Sequence, residues 1–396
     1  METPIVNIAL IGVGGWGGTG HVRAFVDSPH ARVVALCDTV LERARQVAAQ
    51  WEVPRALDDY RALLALPEVE AVDVATPNDT HHEIVMAALA AGKHVLCEKP
   101  LALTVEHARE MERAAAASGR RTAVNFLHRY VPSARYVKLL IEEGALGRIY
   151  HCNVSYQQGW LTDAAFPRVW RLSRAVAGTG VLGDLGSHLI DLARWWLGAE
   201  ITSVSGRLTT FNRQRPLPPV PNATHSSLRD LSERGAAAAP TPLVEVDVDD
   251  EATWLATFEG GAEGVFFTSR NATGRSNQIR AEIYGSEGAV VYDNALRDSV
   301  QASLGRAMWQ RNAWATLAVP HGLMREEGKN SMHYAVEDIV LGQSLAPTFH
   351  DGVRAQEVMD AVVRSAAERR WVDVDLSARP AAVDRSTAPS ASLLSS

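Results

Sequence analysis

The sequence predicts an α/β fold with two domains, a doubly wound parallel sheet followed by an α/β domain on a large, open mixed or antiparallel sheet. Three observations favour this fold. A glycine-rich turn follows the first apolar run, and apolar runs then alternate with helical patterns up to residue 127. Such alternation implies right-handed crossovers between parallel strands. Beyond residue 148, longer runs follow one another without helices between them, which is typical of antiparallel sheets.

Length and charge limit the function classes. The 396 residues suggest two domains, placed here at 1–127 and 128–377, and a tail over 378–396 that is predicted to be disordered. A net charge of −7 offers no electrostatic footprint for nucleic acid, so a small molecule is the expected partner. No apolar run is long enough to span a membrane, and no signal-peptide pattern precedes the first strand.

The cysteine pattern bears on the cellular compartment. Cys37, Cys97 and Cys152 are widely spaced, odd in number and without a Cys-x-x-Cys pair. This is neither a disulfide framework nor a zinc site, and it fits a reducing compartment. We therefore expect a cytoplasmic protein.

The first predicted strand, 7–11, leads directly into a glycine turn with G-x-G-x-x-G spacing, and a helical pattern opens at His21. The first glycine permits the tight turn, the second lets the backbone approach a pyrophosphate, and the third lets helix and strand pack closely. The helix N-terminus supplies free N–H groups for the phosphates. The residues predicted to form this dinucleotide site are Gly12, Gly14, Trp16 and Gly17.

Asp38 ends the second predicted strand, 32–37, and lies 21 residues beyond Gly17 (38 − 17 = 21). A carboxylate at this position accepts hydrogen bonds from both ribose hydroxyls of NAD and repels the 2′-phosphate of NADP. NAD is therefore the favoured cofactor, and NADP is the less favoured alternative. Arg43, five residues further on, could meet that phosphate, but we expect it to lie solvated on a helix over 41–50.

The alternation continues along the first domain. The next predicted elements are a helix over 60–66, a strand over 71–75, a helix over 83–91, a strand over 95–97, a helix over 105–118 and a strand over 122–125. Thr80 and Thr104 are predicted N-caps, and Gly92 and Gly119 are predicted helix ends. The carboxyl ends of parallel strands share one edge of the sheet. The further residues expected along this cofactor edge are Thr76, Pro77, Asn78, His81, Glu98, Lys99 and Asn125.

Two features of this edge concern catalysis. His81 and His82 are better explained as residues that start a helix than as catalysts. Lys99 follows a strand that Pro100 must end, because proline cannot donate to a continuing ladder. Ligands bind outside the carboxyl ends of such strands, so Lys99 can reach both a cofactor and a substrate. A cis Lys99–Pro100 bond is a further hypothesis, because it would fix the direction of the lysine.

The second half of the chain has longer predicted strands, mostly without helices between them. After a predicted helix over 134–143, the predicted strands are 148–157, 201–211, 243–248, 252–258, 264–270, 278–284 and 289–293. We expect one face of this sheet to pack on helices and the other to be available to a partner. The stretch 212–242, rich in Pro, Ser and Ala, is interpreted as a long surface loop or insertion.

A polar stripe is predicted on a helix over 184–197. Asp184, His188 and Asp191 stand at positions i, i+4 and i+7, beside an apolar stripe. Asp184 would then be ionised near a helix N-terminus, would orient His188 and would favour its protonated form, so that the histidine moves a proton near neutral pH. A solvated polar face is the alternative, but the glycines before Asp184 suggest a close ligand. No other His or acid cluster has ligand spacing, so no metal is expected.

These residues resemble the Gfo/Idh/MocA oxidoreductase family, which includes inositol dehydrogenases and glucose-fructose oxidoreductase. The likeness extends from the glycine turn to the segment 347–352, before the last predicted long helix. Its most specific parts are Glu98-Lys99-Pro100 and the segment from Gly180 to His188. The resemblance implies a Rossmann domain, an α/β domain on an open mixed sheet, and a homodimer or homotetramer formed through that sheet. The residues 177–180 depart from the triple glycine that often precedes the acid.

The resemblance also implies a catalytic set of Lys99, Asp184 and His188. The expected reaction is NAD-dependent oxidation of a secondary hydroxyl of a sugar, glycoside, anhydro-sugar or polyol by hydride transfer. His188 would take the hydroxyl proton while Asp184 orients it, and Lys99 would donate a hydrogen bond to the same oxygen. Lys99 as the base is the alternative assignment.

Substrate contacts and competing functions complete the sequence-based hypothesis. Aromatic faces pack on sugar C–H surfaces, and arginines hold hydroxyls or acidic groups. The candidates for the substrate wall are Arg129, Trp160, Trp170, Arg171 and His321. One competing function is a glycosidase of the same architecture that uses NAD without net redox. The other is a cofactor-sensing regulator, which would tolerate loss of Lys99.

Overall fold

A computed structural model describes residues 4–218 and 242–376. The strands of the first sheet are β1 Val6–Ile11, β2 Ala31–Cys37, β3 Ala56–Leu57, β4 Ala71–Val74, β5 His94–Cys97 and β6 Thr122–Val124. All of their pairings are parallel, in the order β3-β2-β1-β4-β5-β6. The order reverses between β1 and β4, which is the switch point where such sheets bind dinucleotides. The predicted Rossmann sheet is confirmed.

Five α-helices connect these strands. They are α1 Val22–Val26, α2 Leu41–Gln50, α3 Tyr60–Leu64, α4 His81–Ala90 and α5 Val105–Ser118. The predicted cap and end of α5 are confirmed, because Thr104 accepts from the His107 N–H at 3.2 Å and Gly119 is left-handed. Thr80 stands at the predicted N-cap of α4, but its side chain does not cap the helix. Its hydroxyl oxygen lies 2.7 Å from Thr76 Oγ1 and 2.8 Å from the Pro77 carbonyl oxygen, which ties the loop at the cofactor edge.

The second sheet has nine strands and is mixed. They are β7 Ile149–Gln157, β8 Ile201–Thr209, β11 Glu251–Phe258, β12 Glu263–Ser269, β13 Gln278–Gly285, β14 Gly288–Asp293, β15 Ser299–Leu304, β16 Ala315–Ala318 and β17 Val372–Asp373, in the order β16-β15-β14-β13-β7-β12-β11-β8-β17. β7 and β12 pair in parallel, whereas the other neighbours are antiparallel. The open mixed sheet is confirmed, although the sequence does not predict its last three strands.

One strand prediction fails. The sequence predicts that the run 243–248 belongs to the large sheet, but only β10, Leu243–Glu245, is a strand there, and it pairs with β9, Gln214–Pro216, in a separate ribbon. The alternating pattern of this run predicts a strand, but it does not determine which other strand it pairs with. The remaining part of the predicted insertion over 212–242 lies mostly outside the described residues, and so does the predicted tail over 378–396.

Seven α-helices are described in the second half. They are α6 Pro132–Glu142, α7 Arg174–Ala177, α8 Ser187–Leu197, α9 Arg306–Trp309, α10 His321–Met324, α11 Ser331–Leu341 and α12 Phe349–Glu368. Helix α12 packs on β8 of the second sheet and on α5 and β6 of the first half. Buried residues of both sheets, such as Val124 and Val204, therefore belong to one hydrophobic core. This shared core fixes the two sheets relative to each other.

Two further findings concern the chain as a whole. Cys37, Cys97 and Cys152 are buried and unpaired with one another. Over the ranges 4–218 and 242–376, none of the helices combines the length and apolar character that a bilayer crossing requires.

Candidate active site

The carboxyl ends of four strands meet at one edge of the first sheet, as predicted. Main-chain hydrogen bonds continue each ladder one residue beyond the strand. They run from Gly12 N to Cys37 O, from Ala75 N to Ile11 O, from Glu98 N to Val74 O and from Asn125 N to Cys97 O, at 2.8–2.9 Å. The residues that follow these strands therefore line one cleft.

The glycine turn is as tight as the sequence predicts. Gly12 is left-handed with φ of 91°, and a Cβ there would lie 2.8 Å from the Ala75 carbonyl carbon. A Cβ on Gly17 would lie 2.1 Å from the Gly12 oxygen, so helix and turn can touch only through glycine. Gly17–His21 forms a π-helical turn before α1, and the side chain of Trp16 is exposed beside it. This turn leaves bare backbone and helix-start N–H groups for a phosphate.

Asp38 is buried and fixed beside this turn. Its carboxylate accepts from Val13 N at 3.2 Å, from Val40 N at 3.0 Å and from Arg43 Nη1 at 3.0 Å. The expectation that Arg43 is solvated is wrong, because side chains in a first helical turn point back toward the helix N-terminus, where the carboxylate lies. The immobilised acid next to a bare glycine turn fits the adenosine half of a dinucleotide.

Asn78 and Asn125 are held in place behind the edge. The Asn78 amide donates to the Ala177 carbonyl at 3.1 Å, and this contact joins the Thr76–Asn78 loop to the second half of the chain. The Asn125 amide is fully buried and donates to Glu98 Oε1 at 2.5 Å. Glu98 in turn accepts from the Lys99 N–H at 3.0 Å.

His81 does not fit the expected cofactor contact. Its side chain is fully buried, with Nδ1 3.0 Å from the Pro100 carbonyl and Nε2 3.0 Å from the Thr76 carbonyl. Burial lowers its pKa. Because both ring nitrogens lie against main-chain carbonyls, His81 supports the loops that contain Thr76 and Pro100 and leaves no ring nitrogen for a hydrogen bond to a cofactor.

Lys99 and Asp184 meet across the cleft. The Lys99 ammonium donates to the Asp184 main-chain carbonyl at 2.7 Å and to Asp184 Oδ1 at 3.1 Å. The Lys99–Pro100 peptide bond is cis, as hypothesised. The structure therefore brings the two most specific sequence motifs into direct contact.

Two arginines complete the surroundings of Asp184. Arg171 Nε lies 3.9 Å from Oδ1, and Arg270 Nη1 lies 3.7 Å from Oδ2. Burial opposes ionisation of Asp184, but Lys99, Arg171 and Arg270 outweigh it and hold the pKa of this carboxyl well below its usual range. The expectation that Asp184 is ionised is confirmed, and cations rather than the helix N-terminus are the main cause.

The expected pairing of Asp184 with His188 is wrong. Leu182–Gly186 is a π-helical turn before α8, and in a π turn residue i+5 takes the place of residue i+4. Within the described ranges, His188 Nδ1 is buried without a hydrogen-bond partner. Burial, the Lys99 charge and His128 together hold the pKa of His188 well below its usual range. His188 is therefore neutral near pH 7, whereas the sequence predicts a protonated imidazole.

Aromatic rings take the place of the expected carboxylate around His188. The His128 ring lies edge-on at 4.6 Å between centroids, and Tyr156 and Phe126 lie at 6.1 and 6.0 Å. Sequence reasoning missed His128, Tyr156 and Arg270. Arg270 directly follows β12, and Tyr156 is the next-to-last residue of β7, which runs parallel to β12. The expectation that residues at the carboxyl ends of parallel strands lie together, used above for the first sheet, could therefore have found both.

Comparison with known proteins places the chain in a family. The model of an oxidoreductase family with an NAD-binding Rossmann fold, GFO_IDH_MocA, matches residues 6–126, and the model of the GFO/IDH/MocA C-terminal domain matches residues 134–291. The chain belongs to the Gfo/Idh/MocA oxidoreductase family. The family assignment supports NAD as the cofactor of the glycine turn and Asp38.

Several relatives span almost the whole chain. A levoglucosan dehydrogenase of Pseudarthrobacter phenanthrenivorans is 34% identical over 93% of this chain and 98% of its own. An inositol 2-dehydrogenase of Rhizobium meliloti is 28% identical over 93% of this chain and 99% of its own. A solved levoglucosan dehydrogenase in complex with NADH superposes with a TM-score of 0.83 at 33% identity, covering 93% of this chain and 99% of that one.

Three of the five predicted substrate-wall residues lie around Asp184. The Arg171 guanidinium stacks over the Trp170 ring at 4.3 Å, and Arg270 lies over the Trp160 ring at 5.5 Å. Trp160 Nε1 donates to Gln158 Oε1 at 2.9 Å. Aromatic rings and guanidinium groups thus lie together beside Asp184.

The other two wall candidates are placed elsewhere. Arg129 bonds Asp191 through Nε at 2.8 Å and Asp351 through Nη2 at 2.9 Å, so it is an internal ion pair that joins α8 to α12. Asp191, the third member of the predicted polar stripe, is the ion-pair partner of Arg129 and does not take part in the cleft. His321 is exposed at the start of α10, which packs on α6. The ion pair contradicts the prediction for Arg129, because the sequence does not show which side of a helix or loop faces the cleft. The wall position of His321 stays a prediction.

One group of potential metal ligands is found in the described part of the chain, contrary to the expectation that no such cluster exists. His82, His107 and Glu110 on α4 and α5 bring their ligand atoms within 4.8 Å of one another. The two imidazoles stack at 4.1 Å with an interplanar angle of 15°, and His82 Nε2 lies 2.8 Å from Glu110. Stacked rings direct their lone pairs side by side instead of toward one ion, and the group is not part of the cleft.

Proposed function

We propose that this chain is an NAD-dependent dehydrogenase that oxidises a secondary hydroxyl of a sugar, anhydro-sugar, glycoside or polyol. The observation that carries the proposal is the contact of Lys99 with Asp184 at the cofactor edge, beside a neutral His188. The relatives named levoglucosan dehydrogenase and inositol 2-dehydrogenase support the same substrate class.

Each side chain has a distinct role in this proposal. When bound, the dinucleotide supplies the hydride acceptor. The neutral His188 accepts the hydroxyl proton at Nε2, since Nδ1 is enclosed. The Lys99 ammonium, already ion-paired with Asp184, donates a hydrogen bond to the reacting oxygen and stabilises the negative charge that develops there. His188 would thus take the proton of the O–H bond, the hydride of the C–H bond would go to the bound dinucleotide, and the alcohol would become a ketone.

The ion pair supports His188 as the base over Lys99. The Lys99 ammonium donates to the Asp184 carboxylate at 3.1 Å, and an ammonium group has no lone pair to accept a proton. Asp184 then acts through Lys99 instead of through His188. The pH profile that separates the two assignments is given in the Discussion.

Cofactor preference follows from Asp38. The carboxylate at the end of β2 supports NAD over NADP, because it would repel a 2′-phosphate. Its ion pair with Arg43 leaves a guanidinium on the same site, which would be available to that phosphate if the acid were removed.

We also propose a homodimer or homotetramer formed through the second sheet. Helices α8 and α12 cover one face of this sheet. Side chains that alternate with the buried ones, such as Leu255 at 45% and Val265 at 44% exposure, give the other face an apolar character. Multi-angle light scattering should give a larger molar mass for the wild-type protein than for L255E, because the substitution places a charge on the exposed apolar face. A monomeric wild-type chain would refute the assembly.

The function is tested by absorbance at 340 nm. Purified protein is mixed with NAD or NADP and with levoglucosan, myo-inositol, methyl glucosides, free glucose or sorbitol. A rise with NAD and a cyclic polyol or sugar is expected. A protein that binds NADH but gives no rise, and that releases nitrophenol from an aryl glycoside, would instead be the glycosidase. A protein that binds NADH and does neither would be the regulator.

A further inference from the structure

His21 lies at the end of the glycine turn, and its imidazole is completely buried between two carboxylates. Nδ1 is 2.7 Å from Asp73 Oδ2, and Nε2 is 2.9 Å from Glu98 Oε1. Asp73 stands in the middle of β4, a strand that is otherwise apolar and fully buried. An acid at such a position is tolerated only when a partner compensates its charge. His21 is that partner, and no role described above uses it.

The geometry determines the charge of this imidazole. Carboxylates are acceptors, so only the doubly protonated ring donates to both Asp73 and Glu98. Burial opposes the charge, but the two acids outweigh it and raise the pKa of His21 to about 10. Glu98 is held ionised in turn. Burial opposes its charge, but His21 and Lys99 outweigh the opposition and lower its pKa to about 2.

The neighbours of His21 add no competing charge. The Trp16 ring meets it edge-on at 6.3 Å between centroids. The Asn125 amide nitrogen is 3.2 Å from Nε2, and the Asn125 oxygen accepts from the Ser331 hydroxyl on α11. Asp73 and Glu98 are thus the two carboxyl groups that face the ring, from β4 and from the end of β5. Burial raises the pKa of Asp73, and the contact with His21 opposes that shift.

Hydrogen bonds of Glu98 connect the buried His21 to Lys99 in the cleft. One oxygen of this carboxylate is held by His21 and Asn125, while the other accepts from the Lys99 main-chain N–H at 3.0 Å. The Lys99 side chain then donates to Asp184. Charges alternate in sign along this line, from Asp73 in the sheet core to Asp184 in the cleft.

We infer that His21 is a positioning residue of the active site: as a buried cation between Asp73 and Glu98, it fixes the Glu98 carboxylate and thereby the main chain that aims Lys99 at the substrate. The inference about the charge of His21 stands alone. Its catalytic consequence rests on the proposed dehydrogenase function.

The charge of His21 is tested directly on the cofactor-free protein. ¹⁵N-edited NMR of the imidazole groups should show one histidine with both nitrogens protonated from pH 7 to pH 9, and H21Q should remove that signal. A single-protonated His21 at pH 7 would overturn the inference, whether or not the protein oxidises any sugar.

The positioning role is tested by kinetics with D73N, which keeps a hydrogen-bond acceptor at Nδ1 but removes one negative charge. His21 should then lose its proton at lower pH. Above that pH, kcat should fall about 10-fold to 100-fold while KM for the sugar stays nearly constant, because a misdirected lysine impairs the reaction more than binding. The wild-type profile should stay flat over the same interval.

The matched control is H30Q, which replaces a histidine whose ring nitrogen lies 3.2 Å from the Pro4 carbonyl near the chain start. It should behave as wild type. Superimposable pH profiles for D73N and wild type would refute the positioning role. If wild type itself turns over none of the sugars, the proposed function fails instead, and the NMR result still decides the charge of His21.

Discussion

Lys99 and Asp184 are 85 positions apart in the sequence, yet the lysine ammonium bonds both the side chain and the main-chain carbonyl of the acid. The lysine follows a strand of the first sheet, and the acid belongs to the π turn that precedes α8. The contact therefore forms only when the two halves of the chain are packed together. The hydrophobic core that spans both sheets holds the two halves in this arrangement.

Replacement of Lys99 by methionine should remove the donor to the reacting oxygen. We expect kcat to fall by about 10²-fold to 10³-fold, as for the loss of one donor at a developing oxyanion. NADH binding, followed by fluorescence, should change little. K138M is the matched control, because Lys138 pairs with Glu142 on the surface of α6 at 3.2 Å. A K99M enzyme with wild-type kcat would contradict the assigned role.

Replacement of His188 by asparagine should remove the proton acceptor. We expect kcat to fall by about 10²-fold to 10⁴-fold, the range for general base catalysis. The dependence of kcat on pH separates the two candidate bases. If the activity that remains in H188N still changes with pH as in wild type, Lys99 is the base. H30N is the control and should keep wild-type rates, because the His30 ring lies at the Pro4 carbonyl near the chain start.

Arg129 and Arg171 should respond differently to methionine. R129M leaves the buried Asp191 carboxylate without its ion-pair partner and leaves Asp351 with only Arg194, at 3.6 Å, and it should lower the free energy of unfolding by about 3–5 kcal/mol. R171M should leave the melting temperature almost unchanged and raise KM for the sugar about 10-fold, the loss of one charge-assisted hydrogen bond. Thermal melts and steady-state kinetics measure the two effects. If R129M raises KM for the sugar without lowering the melting temperature, Arg129 contacts the substrate after all.

Removal of the Asp38 carboxylate should change the cofactor preference. D38S eliminates repulsion of the 2′-phosphate and releases Arg43 to bind it. The ratio of kcat/KM for NADP to that for NAD should rise about 10-fold or more, which corresponds to about 1.4 kcal/mol. The double variant D38S/R43A should lose the gain. An unchanged ratio in D38S would show that Asp38 does not face the ribose.

The buried His21 pair should make stability depend on pH. The pKa of His21 is about 10 in the folded protein against 6.5 for the free side chain, so its contribution is complete below pH 6.5 and is lost as pH rises toward 10. The difference in unfolding free energy between wild type and H21Q should shrink over this interval, by on the order of 1 kcal/mol per pH unit. Urea melts at several pH values measure it. A constant difference would mean that His21 is neutral.

Local pattern was enough for the elements that line the cofactor edge. Strand ends, the glycine turn and the cap of α5 depend on residues within a few positions of one another. The ends of parallel strands must also lie together, whatever the rest of the fold. For this reason the sequence alone assigns Gly12, Asp38, Glu98 and Asn125 to one edge, and the resemblance of two motifs to a family points to Lys99, Asp184 and His188.

The partners of the charged side chains could be decided only by the folded chain. The π turn at Leu182–Gly186 breaks the i, i+4 relation, so Asp184 pairs with Lys99 and leaves His188 neutral. Arg129 turns inward to Asp191 and Asp351, and His21 meets an acid 52 positions away. Hydrophobic period and turn chemistry are local properties. The compensation of a buried charge depends on which segments the shared core brings together, and sequence spacing carries no record of that.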